Sequence, residues 1–213
     1  MTIYIITILF SMITISTINI FLFNFSFNNY ATWTFIAVLL STIAIIIIDG
    51  ILALIIHSFP DKWFNKNKKC FFVHKNERYF YEKLHIKSWK DKIPELGKLG
   101  GFKKNKMNHP NNLEYLKKFI IENNKGVTIH LTGAFFGFLV IFILPLRYAF
   151  RIGFWIACVN GILNLLPTFV LRYNNYKLNI VIKRAEKYSA SDETTPKANI
   201  TPAHTAGLLN TLE

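Results

Sequence analysis

Lysine and arginine are absent from residues 1–57. Between 127 and 171 only Arg147 and Arg151 carry charge. Acidic residues are scarce throughout, 12 Asp+Glu against 25 Lys+Arg, and Asp49 is the only one before residue 58. Stretches this long without solvating charge are not the surface of a water-soluble domain. Cysteine is rare as well. Cys70 and Cys158 stand far apart, with no C-x-x-C and no Cys/His cluster at zinc spacing. No metal site is therefore expected, and no disulfide framework.

What is present is strongly segregated. Of the 213 residues 52% are hydrophobic, yet the net charge is +13, and mean hydropathy is +0.29. Residues 58–126 hold 17 Lys+Arg against 7 Asp+Glu, and the segment from 172 onward holds 6 against 4. Alternating apolar and basic blocks mark an integral membrane protein. About 20 apolar residues make one helical crossing. Four segments qualify, near 3–25, 33–57, 127–147 and 152–171. Their Ile, Phe and Thr would suit strands in water, but an isolated strand in lipid leaves its backbone unpaired. The expected fold is all-α: a polytopic bundle of about four transmembrane helices with a basic, partly helical loop. The first segment could be a cleaved signal peptide, but without a basic n-region or small-residue cleavage site it reads as a retained helix.

The expected organisation is two spans in 1–57, a basic loop over 58–126, two spans in 127–172, and a tail over 173–213 that is disordered after about 188. Positive charge stays on the cytoplasmic side. Both termini and the loop are therefore expected there, in a multi-pass cell-membrane protein. Arg147 and Arg151 run against that orientation unless they pair with outer headgroups. Tyr30, Trp33, Tyr148, Trp155 and Tyr173 fall where interfacial aromatics sit. Within the loop, 76–88 reads as a helix, and Pro94, Gly97, Gly100 and Gly101 break the chain. Asn111 and Asn112 are candidate caps for a helix from Leu113 to Glu122. Its stripe of Tyr115, Leu116, Phe119 and Ile120 could lie on the bilayer, with Lys117 and Lys118 at headgroups, or form the core of a small subdomain. A basic loop tethered beside an anionic bilayer gives no reason to expect nucleic acid as a partner; the lipid bilayer is the expected one.

Four polar residues inside these spans stand out. Asp49 lies eight residues before His57, about 12 Å below the interface. An ionised carboxylate there costs about 2.5–3.5 kcal/mol on insertion scales, so it must be protonated, paired or facing a wet cavity. Asn164 lies at the same depth counted from Arg172, Asn160 one turn deeper, and His130 about 6 Å into the third span. Pro167 is expected to break the fourth helix and free the Leu163 carbonyl. Together these groups could form a polar pocket open to the loop side. They could equally be interhelical glue worth about 0.6–2 kcal/mol per bond. His130, at the boundary between phases, is the candidate general base.

Four stretches in order, "FPDKWF" at 59–64, "KSWKDKIPELG" at 87–97, "FIIENNKGVTIH" at 119–130 and "NLLPTFVLRYNNYKL" at 164–178, resemble the glycosyl-4,4'-diaponeurosporenoate acyltransferase family of staphyloxanthin-type carotenoid biosynthesis. The resemblance spans about 58–178. It implies a membrane acyltransferase that moves a fatty acyl group from an acyl thioester donor to a sugar hydroxyl on a glycosylated isoprenoid or glycolipid, with no cofactor or metal. The matching positions are Trp89, Lys90, Pro94, Glu122, His130, Asn164, Pro167, Arg172, Tyr173 and Asn174. The chain departs from the family pattern at Val127, where an acidic residue is usual, and at Asn175, Tyr176 and Lys177, where Arg-Pro-Arg is usual.

On this reading His130 is the base and Glu122 or Asp49 orients it; Glu122, two turns away, reaches it only if Gly126 bends the chain. Trp89, Lys90, Asp91, Asn164, Arg172, Tyr173 and Asn174 are the expected substrate-binding residues. Lys90 and Arg172 would meet the phosphates of an acyl carrier or lipid headgroups, and Arg172 with Tyr173 could instead anchor a helix end. The alternative function is a non-enzymatic membrane protein that binds anionic lipid or scaffolds a lipid-synthesis complex.

Overall fold

A long apolar run leaves the backbone as the main polar group a bilayer must accommodate, and a helix pairs it internally. The computed structural model describes residues 2–23, 29–93 and 112–192. Among them every regular element is helical and no strand occurs. The elements are α1 (Thr2–Phe23), α2 (Tyr30–Ser58), α3 (Lys75–Lys83), α4 (Ile86–Trp89), α5 (Leu113–Phe136), α6 (Val140–Ile143), α7 (Leu146–Tyr148) and α8 (Phe154–Asp192). Four candidate membrane spans, Thr2–Phe23, Tyr30–Ser58, Leu113–Ile143 and Leu146–Lys187, are long and apolar enough to cross a membrane. The chain is an all-α membrane protein.

Two helices are longer than their apolar cores. The expected short helix at Leu113 and the third span are one element, because nothing at Gly126 interrupts α5. Asn112 caps it, its side-chain oxygen accepting from the Tyr115 N–H at 3.0 Å, which satisfies one of the orphan donors at a helix start. Past Phe136 the span tightens into a 3-10 turn, Gly137–Leu139, before α6. It ends where Leu144 turns extended ahead of Pro145, the conformation favoured by a residue before proline.

The second long helix, α8, runs unbroken through Pro167, so the expected break does not occur. The ring removes one backbone donor, and the Tyr4 hydroxyl donates to the Leu163 carbonyl instead, at 2.9 Å. In lipid such a replacement partner is what makes an internal proline tolerable. The same bond fastens α1 into the bundle.

Helices α5 and α8 pack antiparallel and share the most extensive contact in the fold. At their loop-side ends Leu116, Phe119 and Ile120 pack on Leu178 and Ile182. The apolar stripe of α5 is therefore the core of a small subdomain and does not lie on a bilayer. Burial from water stabilises each such side chain by about 1.5–3 kcal/mol.

The expected 76–88 helix is split at His85, whose φ of 51° is left-handed, into α3 and α4. Trp33 and Trp155 are exposed as interfacial aromatics should be, whereas Tyr30, Tyr148 and Tyr173 are buried in the packed interior. α8 continues as helix to Asp192. The breakers Pro94, Gly97, Gly100 and Gly101, the cap candidate Asn111 and the tail beyond 192 lie outside the described residues.

Candidate active site

The antiparallel register of α5 and α8 sets two glycines against two asparagines. Gly133 on α5 and Gly137, the first residue of the 3-10 turn that follows it, are spaced as Asn160 and Asn164 are on α8, one turn apart. A Cβ on Gly137 would come 2.5 Å from Asn160 Nδ2, and one on Gly133 would come 3.2 Å from Asn164 Oδ1. Only bare backbone leaves room for these amides. Asn160 Nδ2 donates to the Gly133 carbonyl at 3.3 Å.

Asn164 is the centre of the cluster. Its Nδ2 donates to Asp49 Oδ2 on α2 at 3.0 Å and to Asn160 Oδ1 at 3.0 Å. Its Oδ1 lies 2.9 Å from His130 Nδ1 on α5. Asn160 gives its Nδ2 to the Gly133 carbonyl, so its oxygen can only accept from Asn164; the Asn164 amide nitrogen therefore faces Asn160 and Asp49 and its oxygen faces His130. That oxygen in turn can only accept, which places the ring proton on Nδ1 and leaves the lone pair on Nε2. Three helices thus build a chain from Asp49 through Asn164 to His130. The other oxygen of Asp49, Oδ1, is buried and receives no hydrogen bond among the described residues.

Glu122 lies elsewhere. With α5 unbroken it is eight residues, about 12 Å of rise, from His130, and it meets Lys125 Nζ at 3.4 Å. Lys125 reaches Asp61 at 2.6 Å. The side chain that meets the imidazole is Asn164, which is in turn bonded to Asp49.

Trp89, Arg172 and Tyr173 form a separate group nearer the loop. Arg172 donates to both oxygens of Glu77 and to the carbonyls of Cys70 at 3.0 Å and Phe72 at 3.3 Å. Its guanidinium is occupied in clamping the α2–α3 connection to α8, which disfavours both the phosphate and the headgroup roles. Tyr173 is buried with Val73, Tyr81 and Ile86, and Trp89 packs against them. Trp89 Nε1 donates to the Leu84 carbonyl at 2.9 Å. Burial pushes the Glu77 carboxyl up, but the bonds from Arg172 and Tyr81 outweigh it and hold the group below the usual glutamate range. Lys90 and Asn174 are half-buried and Asp91 is exposed. Asn174 is ten residues, about 15 Å, along α8 from Asn164.

A third polar group was not anticipated. Asn123, Asn124 and Asn175 are fully buried. Asn123 Nδ2 donates to the Leu171 carbonyl and to Asn175 Oδ1, both at 2.7 Å. Asn175 Nδ2 donates to Asn124 Oδ1 at 2.6 Å, and Asn124 Nδ2 to the Phe64 carbonyl at 2.7 Å. One of the positions that departs from the family pattern, Asn175, is thus the keystone of an α5–α8 lock. The usable signal was the Asn123-Asn124 pair two turns before His130 on one helix.

A family model described as glycosyl-4,4'-diaponeurosporenoate acyltransferase matches residues 60–184. The chain belongs to this family. No curated protein and no solved structure matches. The glycosyl-4,4'-diaponeurosporenoate acyltransferase family is named for an acyl transfer in carotenoid biosynthesis, and the match takes in His130 and Asn164 but not Asp49, which lies before its first residue.

Proposed function

We propose that the protein is a membrane acyltransferase that moves a fatty acyl group from a thioester donor onto a sugar hydroxyl of a glycosylated isoprenoid or glycolipid. The observation that carries this reading is the 2.9 Å contact between His130 Nδ1 and Asn164 Oδ1, backed by Asp49. It supports a ring with Nε2 as the basic atom. The sugar hydroxyl oxygen attacks the thioester carbonyl carbon while its proton passes to Nε2 of His130. Collapse of the tetrahedral intermediate breaks the C–S bond, and the proton moves from Nε2 to the departing sulfur. Between those steps the imidazolium is stabilised through Asn164 by the Asp49 carboxyl group. Both reactants have apolar tails and polar reacting ends, so a base just inside the apolar boundary suits them.

The test is His130→Ala in membranes supplied with an acyl thioester and a glycosylated isoprenoid. A general base contributes about 10²–10⁴-fold, so transfer should fall at least a hundredfold. Transfer at the wild-type rate refutes the assignment.

A second reading is favoured by the mutual hydrogen bonding of Asn160, Asn164 and Asp49. Here the cluster is interhelical glue in a non-enzymatic protein that binds anionic lipid or scaffolds a lipid-synthesis complex. On that reading replacing five loop lysines abolishes function, and His130→Ala does not.

A further inference from the structure

An apolar slot lies where α1, α2 and α8 meet. Its cavity is about 50 Å³, walled by Ile8 and Met12 of α1, Ile45 and Ile46 of α2, and Val159 and Leu163 of α8. It runs from Ile8 to Ile15 along α1, seven residues or about 10 Å of helix. The two ends differ. The deep end stops against Ile15 and Ile156, which belong to the buried cluster with Val38, Tyr148 and Ile152. That floor is closed. The other end abuts the polar cluster on two helices at once. Ile45 is one turn before Asp49 on α2, and Leu163 adjoins Asn164 on α8.

One residue belongs to both places. Asn160 lines the slot and also holds Asn164 through its Oδ1. Its amide donates to the Gly133 carbonyl and accepts from Asn164. The Thr42 hydroxyl in the wall is likewise engaged, donating to the Val38 carbonyl at 2.9 Å. The slot therefore offers an occupant hardly any polar recognition, although it touches a chain of hydrogen bonds that ends on an imidazole. A ligand there must be hydrocarbon along its length and reactive at its head.

We propose that this slot receives the fatty acyl chain of the donor, tail against Ile156 and carbonyl carbon toward His130, and so sets which chain length is transferred. The proposal rests on the acyl transfer argued above. The narrow bore favours an unbranched, flexible alkyl chain over a methyl-branched, rigid polyene, so the acceptor's carrier lies outside the slot. A closed floor turns depth into selectivity: each further methylene must find room or lift the carbonyl away from the base.

The experiment uses the full chain in membranes with a series of straight-chain acyl thioesters and one glycosylated acceptor. Val159→Phe narrows the slot and should shift the preferred acyl length to shorter chains. Ile156→Ala lowers the floor and should shift it to longer ones. Opposite shifts are not produced by general destabilisation. A length profile that matches wild type in both active variants overturns the proposal, as does a change confined to acceptor preference. If wild type transfers no acyl group to any acceptor, the enzymatic reading fails first and the slot assignment falls with it. A second readout does not need turnover. An acyl thioester with a terminal diazirine, irradiated on the wild-type chain, should label the wall segments 8–15, 42–46 and 156–163. Labelling of outward side chains such as Phe135 and Phe142 in place of these overturns it.

Discussion

A Cβ atom on Gly133 would stand 2.7 Å from Asp49 Oδ1. The two residues come from α5 and α2, and the carboxylate oxygen rests against bare glycine backbone. Gly133→Ala should force Asp49 or Asn164 aside. Overpacking of this kind costs about 1–3 kcal/mol. Thermal stability in detergent should drop, and acyl transfer should drop further than stability alone explains. An alanine variant with wild-type transfer would show that the position of Asp49 is irrelevant to the reaction.

The Asp49 carboxyl can be separated from its hydrogen bond. Asp49→Asn keeps an oxygen to accept from Asn164 but carries no charge to balance an imidazolium. Stability should change little, while the transfer rate falls about tenfold for each 1.4 kcal/mol of lost stabilisation. Equal rates for the variant and wild type would remove Asp49 from the mechanism.

Asn175 bridges Asn123 and Asn124 in a site with no exposure. Asn175→Leu should leave the Asn124 oxygen unpaired and Asn123 short of one acceptor. The expected loss is about 1–3 kcal/mol, read as a lower unfolding temperature. Chain-length preference for the acyl donor should not move, because this lock lies nearer the loop than the slot. A changed profile with unchanged stability would contradict its assignment as a lock.

The Glu77–Arg172 clamp gives a pH dependence with a definite sign. The folded Glu77 carboxyl sits below its ordinary value. Its stabilising contribution is therefore complete above the unfolded value, about 4.3, and is lost as pH falls through the folded value. Attachment of α3 and α4 to α8 should weaken in acid, seen as faster proteolysis of the 70–92 segment below about pH 4. Glu77→Gln should be weakened already at pH 7 and respond less to acid. Equal protection of both proteins at pH 7 would rule the clamp out.

The four spans were legible because hydropathy is a property of each segment alone. That Asp49, Asn164 and His130 could lie at similar levels on three helices was legible too, since the rise of a helix is fixed, and the structure brings them together. Glu122 and Arg172 were harder to place. A continuous α5 keeps Glu122 two turns from the ring, and Gly126 gave no way to tell a bend from a straight helix. Arg172 resembled a headgroup anchor until Glu77, far away in the chain, was seen to hold it. Pro167 misled because its replacement donor, Tyr4, comes from the other end of the sequence.

By itself the sequence determined an all-α membrane chain, the segregation of its charge, and how far along its helix each polar group lies. Rotation of each helix about its own axis was decided only by tertiary packing. Gly133 and Gly137 admit Asn164 and Asn160 to one side of the third span, and that contact turns His130 and Asp49 toward the same amide. Hydropathy carries no information about such rotation, because lipid accepts any apolar face equally well and only close packing and paired polar groups distinguish one face from another.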